Sequence, residues 1–470
     1  MDQPPTSHSL RRHLGLGDLI LTQILCVVGN TWVGVAAALG TGQSLTWVVA
    51  MLIFYIPMGA VVIYLSRQTP LEGGLYKWAK QAFGDLAGFM VAWNLWVYAM
   101  TIVAGILFEI PTELAFMLGP PAAWLPGSRW ASLALIFLVL GAVTVFTIRG
   151  LTIGKWVHNI GSISILSVYI VLMCLPVFAK FSGAKISWNP LSAHLPPLTL
   201  FSFAIFGQMI FGALCGLEYV ALLAEESKSP ARSIGLSVVF ASPIICAMFI
   251  LGTAAVVSFQ GADKINFIAP IPQTLRWALG NHGAGSLFAS LAILLLQVRI
   301  LGVVSLLFTG ATRLPLAAGW DHLVPAWFAR QHARWLTPVN AISFSALLIF
   351  VLLVLGSAGV GIQEGFQVLA NASTSHYALT YMAMFAIPMM GNKTLRSVLP
   401  PWLKWISAVG FCATLFSLLI SAFPFVDVVN PQIYAIKVLG TTLLSNILGF
   451  AFYRMRQGRA ASGDAGLNGL

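Results

Sequence analysis

The chain has 470 residues, of which 58% are hydrophobic and only 8% are charged. Soluble domains carry roughly 25% charged residues, so this composition excludes a soluble enzyme, a disordered chain and a small disulfide-rich protein. The net charge of +11 would suit a polyanion. In a membrane protein, however, a basic excess usually belongs to cytoplasmic loops, and we expect no nucleic-acid partner. The composition therefore predicts a polytopic membrane protein.

Long apolar runs divide the chain into predicted membrane-spanning helices. Each run is continuous and close to the roughly 20 residues that a spanning helix needs, without the alternation of a barrel strand. We predict twelve spans, at residues 18–40, 45–66, 84–118, 130–148, 155–178, 199–224, 234–258, 285–312, 338–356, 365–390, 402–423 and 431–453. The predicted fold class is an all-α polytopic membrane protein, with tails at 1–17 and 454–470.

The basic residues predict how these helices are oriented. If the N-terminus is cytoplasmic, eighteen of the 25 Lys and Arg residues fall in cytoplasmic segments and five fall in external segments. Positive charge concentrates on the cytoplasmic side of membrane proteins. We therefore expect a multi-pass protein that lies in the lipid bilayer of the cytoplasmic (inner) membrane, with both termini in the cytoplasm.

Two of the predicted spans contain residues that are poor choices for a continuous lipid-facing helix. The first span carries Gly29-Asn30-Thr31 near its middle, and the sixth carries Gly207, Gly212 and Gly216, followed by Glu218. A single glycine in a membrane helix often serves only close packing. Polar or glycine-rich breaks in two spans five apart are instead typical of transporters in which paired helices unwind around the substrate.

Broken helices expose backbone groups of both polarities. A helix N-terminus offers free N–H groups and partial positive charge that suit a carboxylate, whereas unwound carbonyl groups suit an ammonium group. An amino acid carries both charges, so it is the ligand class that this arrangement favours. We predict that the substrate carboxylate meets the N–H groups of Gly29-Asn30-Thr31. The amine would meet carbonyl groups near Phe211, Ala213 and Leu214.

Several motifs resemble those of the amino acid–polyamine–organocation transporters. They are EGGLYKW at 72–78 with AFGD at 82–85, Gly216-Leu217-Glu218 with AEESKSP at 224–230, TRL at 312–314 with DHLVP at 321–325, and Thr337-Pro338. Their order and spacing run along nearly the whole chain. Within this superfamily, the segments 27–32 and 83–85 look most similar to the glutamate/γ-aminobutyrate antiporter branch.

The resemblance implies a five-plus-five inverted repeat, with residues 18–178 and 199–390 as the two repeats and 402–453 as two additional helices. It also implies alternating access, with helices 1 and 6 discontinuous and substrate between helices 1, 3, 6, 8 and 10. The candidate substrate-binding residues are Gly29, Asn30, Thr31, Trp32, Phe211, Ala213, Leu214, Gly216, Tyr377 and Tyr381. Two features depart from the family pattern: Asn30 lies where a smaller residue is common, and the fifth helix lacks an internal lysine.

Ionisable residues inside membrane spans are costly and are therefore candidates for coupling or gating. Glu218 and Arg299 would approach each other in this fold, either as a static pair or as groups whose proton or partner changes during transport; Arg299 could also meet an acidic substrate. Glu109 and Glu113 lie four apart on one face near the external end of the third span, where we favour a position at the external vestibule or its rim over a role as a proton relay. The candidate coupling and gating residues are Glu218, Arg299, Arg313 and Asp321.

Together, the residues and the resemblance predict a secondary transporter of amino acids or related amines that works by exchange or by proton coupling. The alternative is a sodium-coupled symporter of the same fold, in which Ser305 and Thr309 could supply oxygen ligands. A non-transporting sensor or a membrane-embedded enzyme is less favoured, because the spans carry no nucleophile–base pair and the last residues are too few for an output domain. Since no metal or nucleotide motif is present, we expect no cofactor. The sequence leaves the oligomeric state open.

Overall fold

The computed structural model describes residues 15–68, 74–149, 154–183, 186–218, 230–260, 264–317, 326–335, 337–358, 361–426 and 428–467. Within these ranges the chain forms helices and no β-strand. The first nine helices are α1 (Leu16–Val27), α2 (Asn30–Ala37), α3 (Gly40–Gln68), α4 (Gly74–Phe83), α5 (Asp85–Leu107), α6 (Glu109–Leu118), α7 (Arg129–Ile148), α8 (Gly154–Phe181) and α9 (Leu200–Ala213). The others are α10 (Pro230–Phe259), α11 (Pro270–Leu279), α12 (Gly283–Ala317), α13 (Ala326–Ala329), α14 (Val339–Gly356), α15 (Ile362–Met390), α16 (Lys393–Ser397), α17 (Pro401–Ile420) and α18 (Pro431–Leu467).

Most of these helices have the length and composition of membrane spans. In the described ranges, nine helical segments are long and apolar enough to cross a membrane: α3, α5 with α6, α7, α8, α10, α12, α14, α17 and α18. α1 and α2 together form a tenth, which is bent by 48°. The other two predicted spans are the sixth, which is described only as far as Glu218, and the tenth, α15, which is rich in polar side chains. The structure therefore agrees with an all-α polytopic membrane protein, whereas the count of twelve spans and the inverted repeat stay predictions.

The first span is broken at Val28 and Gly29. Both residues have extended backbone, with φ and ψ of −81° and 107° at Val28 and of −102° and 149° at Gly29. Asn30 and Thr31 therefore lie in the first turn of α2, just after the break that we expected to include them. The carbonyl group of Val28 leaves the helical pattern and accepts a hydrogen bond from Arg299 Nη2 at 3.1 Å.

The second break follows α9, whose last turn is a π-helix from Gln208 to Ala213. Such turns are often found at functional sites. Gly216 has a φ of +112°, which residues with a Cβ rarely adopt. Its N–H group donates to the hydroxyl oxygen of Tyr381 at 3.0 Å and so leaves the helical pattern. The remainder of the predicted sixth span, from 219 to 224, lies outside the described residues.

The two breaks meet inside the helical bundle. α2 contacts the π-helical turn of α9, and a Cβ added at Gly216 would lie 3.5 Å from Val27 Cγ2. Around them, α5 packs along α15, and α12 packs along both α5 and α8. The outer faces of the bundle carry exposed apolar side chains such as Leu52 and Leu347, as expected for surfaces in contact with lipid. The packing therefore surrounds both breaks with polar and aromatic side chains of α5, α6, α12 and α15.

Candidate functional site

A small cavity lies between the two helix breaks. Its volume is about 40 Å³, which is enough for a few water molecules or for part of a small ligand. The residues that line it include Cys26, Gly29, Thr31, Trp32, Tyr98, Glu109, Gly212, Cys215, Arg299 and Phe366. The cavity therefore lies among the first, third, sixth, eighth and tenth predicted spans.

The indole ring of Trp32 connects the two breaks. A Cβ added at Gly29 would lie 2.7 Å from Trp32 Cδ1, and one added at Gly212 would lie 2.8 Å from Trp32 Cη2. Both distances are shorter than van der Waals contacts in packed protein interiors. Glycine at each break is therefore required for the ring to lie between them.

The N-terminus of α2 gives the cavity an electropositive end. Gly29 provides no side-chain cap for this helix, and uncapped N–H groups at a helix N-terminus carry partial positive charge. The guanidinium group of Arg299 adds a formal charge, since a Cβ added at Gly29 would lie 3.6 Å from Arg299 Nη2. Helix N-termini and guanidinium groups both bind carboxylates, so this end of the cavity suits an anionic group.

Arg299 forms its ion pair with Glu109. Arg299 Nη1 donates to Glu109 Oε2 at 3.4 Å, and both side chains are 4% exposed. The hypothesis of a static Glu218–Arg299 pair is therefore wrong. The physical reason is that α6 places Glu109 next to Arg299, whereas Glu218 hydrogen-bonds to Tyr381 of α15.

Glu109 and Glu113 form a buried network with the first turn of α2. Thr31 Oγ1 donates to Glu109 Oε1 at 2.9 Å, and Asn30 Nδ2 donates to Glu113 Oε1 at 2.5 Å. Gln297 Nε2 of α12 donates to Glu113 Oε2 at 2.6 Å. Glu109 is 3% exposed and Glu113 is fully buried, so their predicted location at the external vestibule is wrong. Hydrogen-bond donors on α2 and α12 hold both carboxylates inside the bundle.

Glu218 lies at the second break. The hydroxyl group of Tyr381 donates to Glu218 Oε2 and accepts the N–H group of Gly216. Glu218 is 2% exposed, and its Oε1 atom has no hydrogen-bond partner in the described part of the chain. This oxygen can therefore accept a proton or a cationic group.

Aromatic rings pack behind the cavity. Tyr98, which lines it, stacks on Tyr377 with ring centroids 3.8 Å apart. Phe211 lies edge-on to Tyr377 at 5.9 Å and to Tyr381 at 5.1 Å. The rings of Phe211, Tyr377 and Tyr381 are buried and do not line the cavity. Tyr98 therefore lies between the cavity and Tyr377.

Comparison with known proteins identifies the family. The profile described as amino acid permease matches residues 15–444, a range that includes both breaks and every residue of the cavity. The chain belongs to the amino acid permease family. This confirms the resemblance to the amino acid–polyamine–organocation superfamily and makes the protein a transporter and not an enzyme.

Curated relatives of the permease are also transporters. It is 25% identical to an uncharacterised transporter of Legionella pneumophila, over 81% of either chain. It is 25% identical to the branched-chain amino acid permease BcaP of Bacillus subtilis, over 72% of this chain and 75% of the relative. It is 22% identical to the probable agmatine/putrescine antiporter AguD of Lactococcus lactis, over 72% of this chain and 70% of the relative.

The predicted site residues of the permease fall into three groups. Gly29, Thr31 and Trp32 line the cavity, and so does Arg299. Eight others are buried at or close to the breaks without lining the cavity: Asn30, Phe211, Ala213, Leu214, Gly216, Glu218, Tyr377 and Tyr381. The side chain of Arg313 and all of Asp321, both predicted to act in gating, lie outside the described residues. Contact of any of these residues with substrate stays a prediction.

Sequence reasoning missed several residues of this site. Cys26 and Cys215 line the cavity, and their positions, three residues before Gly29 and one before Gly216, were the signal that could have found them. Gln297 offered no such signal, because it stands in a helix without a neighbouring break. Among the described residues, no group of three or more His, Cys, Asp and Glu side chains could hold a metal ion.

Outside the spans, Arg276 attaches the short helix α11 to the bundle. Its Nε and Nη2 atoms donate to the carbonyl groups of Phe116 and Met117, at 2.6 and 2.7 Å. Its Nη1 atom donates to Ser286 Oγ at 2.8 Å. Partial burial lowers the pKa of Arg276, but an arginine stays protonated throughout the physiological range. The charge therefore caps the C-terminal carbonyl groups of α6, the helix that carries Glu109 and Glu113.

Proposed function

We propose that this permease is a secondary active transporter that moves amino acids or related amines across the cytoplasmic membrane. The observation that carries the proposal is the cavity between two helix breaks, with the N-terminus of α2 and Arg299 at one end. Relatives named as a branched-chain amino acid permease and as a probable agmatine/putrescine antiporter support this substrate class. Transport would proceed by alternating access, through exchange or proton coupling.

The geometry suits a zwitterion. The substrate carboxylate would bind at the first turn of α2, near Gly29, Asn30 and Thr31, where helix polarity and Arg299 both favour an anion. The amine would bind at the second break, where carbonyl groups leave the helical pattern between Ala213 and Gly216. Glu218 Oε1, which has no partner in the described part of the chain, adds negative polarity on this side.

The finer architecture belongs to the same proposal. We infer twelve spans, with 18–178 and 199–390 as inverted repeats, 402–453 as two further helices, and the tails 1–17 and 454–470 in the cytoplasm. The position of the two breaks, in spans five apart, supports the repeat. The excess of basic residues in the alternate loops supports the orientation.

Uptake into proteoliposomes tests the proposal. The purified protein is reconstituted, and each of the twenty standard amino acids, agmatine and putrescine is supplied as a labelled compound. We expect uptake of at least one of these when the vesicles hold unlabelled substrate or when the external medium is more acidic than the interior. Uptake that requires a sodium gradient and ignores both pH and internal substrate would favour the sodium-coupled alternative, with Ser305 and Thr309 as candidate ligands.

A further inference from the structure

The buried network beside the cavity, at the first turn of α2, carries more negative than positive side-chain charge. Glu109 and Glu113 are buried together with one guanidinium group, that of Arg299. Two carboxylates and one guanidinium group leave a net charge of −1 in a region shielded from water, and such an uncompensated charge is costly. A single bound proton would make the group neutral.

Other titratable groups on the elements around the pair do not supply the missing positive charge. They are Cys26 of α1, Tyr98 of α5, Tyr169 of α8, Cys215 and Glu218 after α9, Arg276 of α11, and Tyr377, Tyr381 and Glu364 of α15. The hydroxyl group of Tyr169 donates to the carbonyl group of Gly29 at 3.0 Å. Arg276 directs its guanidinium group at the carbonyl groups that end α6. Arg299 is therefore the cation that faces the carboxylates among the described residues.

Glu113 accepts a hydrogen bond on each of its two oxygens. Asn30 Oδ1 accepts the backbone N–H group of Ile271 at 3.3 Å, so the amide nitrogen of Asn30 must point at Glu113. The amide nitrogen of Gln297 donates to the other oxygen. In this arrangement both oxygens of Glu113 accept hydrogen bonds from amide nitrogens, and a proton on the oxygen beside Gln297 would require that amide to turn over and present its own oxygen.

Glu109 has partners that tolerate a proton. The hydroxyl group of Thr31, which donates to Glu109 Oε1, can reverse and accept a hydrogen bond instead. The contact from Arg299 to Glu109 Oε2 is long, at 3.4 Å. Protonation of Glu109 would therefore cost little in hydrogen bonding and would release Arg299.

Arg299 has unused donors. Its Nη2 atom donates to Val28 O, and its buried Nε atom has no partner in the described part of the chain. The side chain lines the cavity beside the N-terminus of α2. Without its bond to Glu109, this guanidinium group could pair with an anionic group of a ligand in the cavity.

We propose that Glu109 is a proton-binding residue and that the substrate carboxylate replaces it as the partner of Arg299. One proton from the external water adds to a Glu109 oxygen, the Arg299–Glu109 pair separates, and the carboxylate of the ligand pairs with Arg299. The site then holds a proton and a zwitterion together with no net charge. This inference rests on the proposed function and names the residue that couples protons to transport.

The test measures ligand binding to the purified protein between about pH 8 and about pH 6. The probes are the twenty standard amino acids and, for the one that binds best, the amine that lacks its α-carboxylate. By linkage, a ligand that binds together with a proton binds more tightly as the pH falls, by at most about tenfold per pH unit. We expect this gain for the amino acid and not for its amine.

Three variants locate the proton. Glu109→Gln is neutral at every pH, so its affinity should vary less than about twofold over the range, against up to tenfold per unit for the wild type. In Glu113→Gln, the new side-chain amide places an N–H group against the amide nitrogen of Asn30 or of Gln297. We therefore expect this variant to lose ligand binding. Asp85→Asn, which changes an exposed carboxylate, should keep the wild-type pH profile.

If Glu109→Gln does not fold, proton uptake by the wild-type protein still tests the inference. Binding of the amino acid in lightly buffered solution should take up close to one proton per ligand from the medium. Binding without proton uptake, or a wild-type pH profile in Glu109→Gln, overturns the inference and leaves the proposed function standing. If no amino acid or amine binds the wild type at any pH, the proposed function fails and the inference fails with it.

Discussion

Trp32 and Gly212 are in direct contact across the two helix breaks. A Cβ added at Gly212 would lie 2.8 Å from Cη2 and 2.9 Å from Cζ3 of the indole ring. The ring belongs to α2 and the glycine to the π-helical turn of α9. One aromatic side chain thus determines how closely the two helices approach, and it also lines the cavity.

Gly212→Ala should therefore abolish transport. Its methyl group would push Trp32 away from the second break and change the spacing of the carboxylate and amine sites. We expect uptake in proteoliposomes to fall at least about tenfold, equivalent to about 1.4 kcal/mol in the rate-limiting barrier. Gly141→Ala in α7 is the matched control, because a Cβ at Gly141 would meet no atom within 4 Å. Equal loss of activity in both variants would contradict this explanation.

Tyr381→Phe should disrupt the second break while preserving the core. The hydroxyl group satisfies both Glu218 and the N–H group of Gly216, and its removal leaves a buried carboxylate and a buried donor without this partner. Hydrogen bonds to charged groups contribute about 1.5–3 kcal/mol. We expect a lower unfolding temperature in detergent and a large loss of uptake. Tyr64→Phe, whose ring packs on Trp402 at the bundle surface, should leave both measurements close to wild type.

The Arg299–Glu109 pair predicts an asymmetric stability effect. Arg299→Gln leaves Glu109 buried with Thr31 as its remaining hydrogen-bond partner, and breaking a buried pair in this way costs about 3–5 kcal/mol. The double variant Arg299→Gln with Glu109→Gln removes both charges and should unfold at a higher temperature than Arg299→Gln alone. Thermal unfolding in the same detergent measures this difference. A double variant that is less stable than the single one would show that the pair is not the relevant interaction.

The exposed pair Lys80–Asp85 should contribute little to stability. Lys80 Nζ lies 2.8 Å from Asp85 Oδ1, with side chains 48% and 68% exposed, and the hydrogen bond to Asp85 raises the pKa of Lys80 above 10.5. A raised pKa of a basic group stabilises the fold below its unfolded pKa, and this contribution disappears as the pH rises through the folded value. Asp85→Asn should therefore change the unfolding free energy by less than about 1 kcal/mol at neutral pH. A larger destabilisation at neutral pH would show that the pair does more than a surface ion pair.

The sequence alone was sufficient for the all-helical, membrane-spanning character of the chain and for the positions at which α1 and α9 end. Continuous apolar runs predict spanning helices because a membrane requires about 20 apolar residues per crossing. Gly29 and Asn30 in the first span, and Gly212 and Gly216 in the sixth, predict these positions to within a residue or two. Glycine and asparagine both disfavour a continuous lipid-facing helix. The family itself was also recognisable, from motifs that span the chain.

The pairing of buried charges was not predictable. Arg299 could face either Glu218 or Glu109, and the choice depends on the rotation of α6 relative to α12, which hydrophobic periodicity leaves undetermined in helices that are apolar on nearly every face. Glu113 was expected at the vestibule because its position near the end of a span suggested access to water. Its burial follows from two amide donors, Asn30 and Gln297, which lie far from it in sequence.

Counterflow in proteoliposomes tests the central claim most directly. Vesicles preloaded with an unlabelled amino acid are placed in a medium that contains a trace of the same amino acid in labelled form. A transporter with one site that alternates between the two sides should accumulate the label transiently above its external concentration, and Gly212→Ala should not. If none of the twenty amino acids, agmatine or putrescine is exchanged by the wild type at any pH, with or without sodium, the assignment of this cavity as an amino acid or amine site is contradicted.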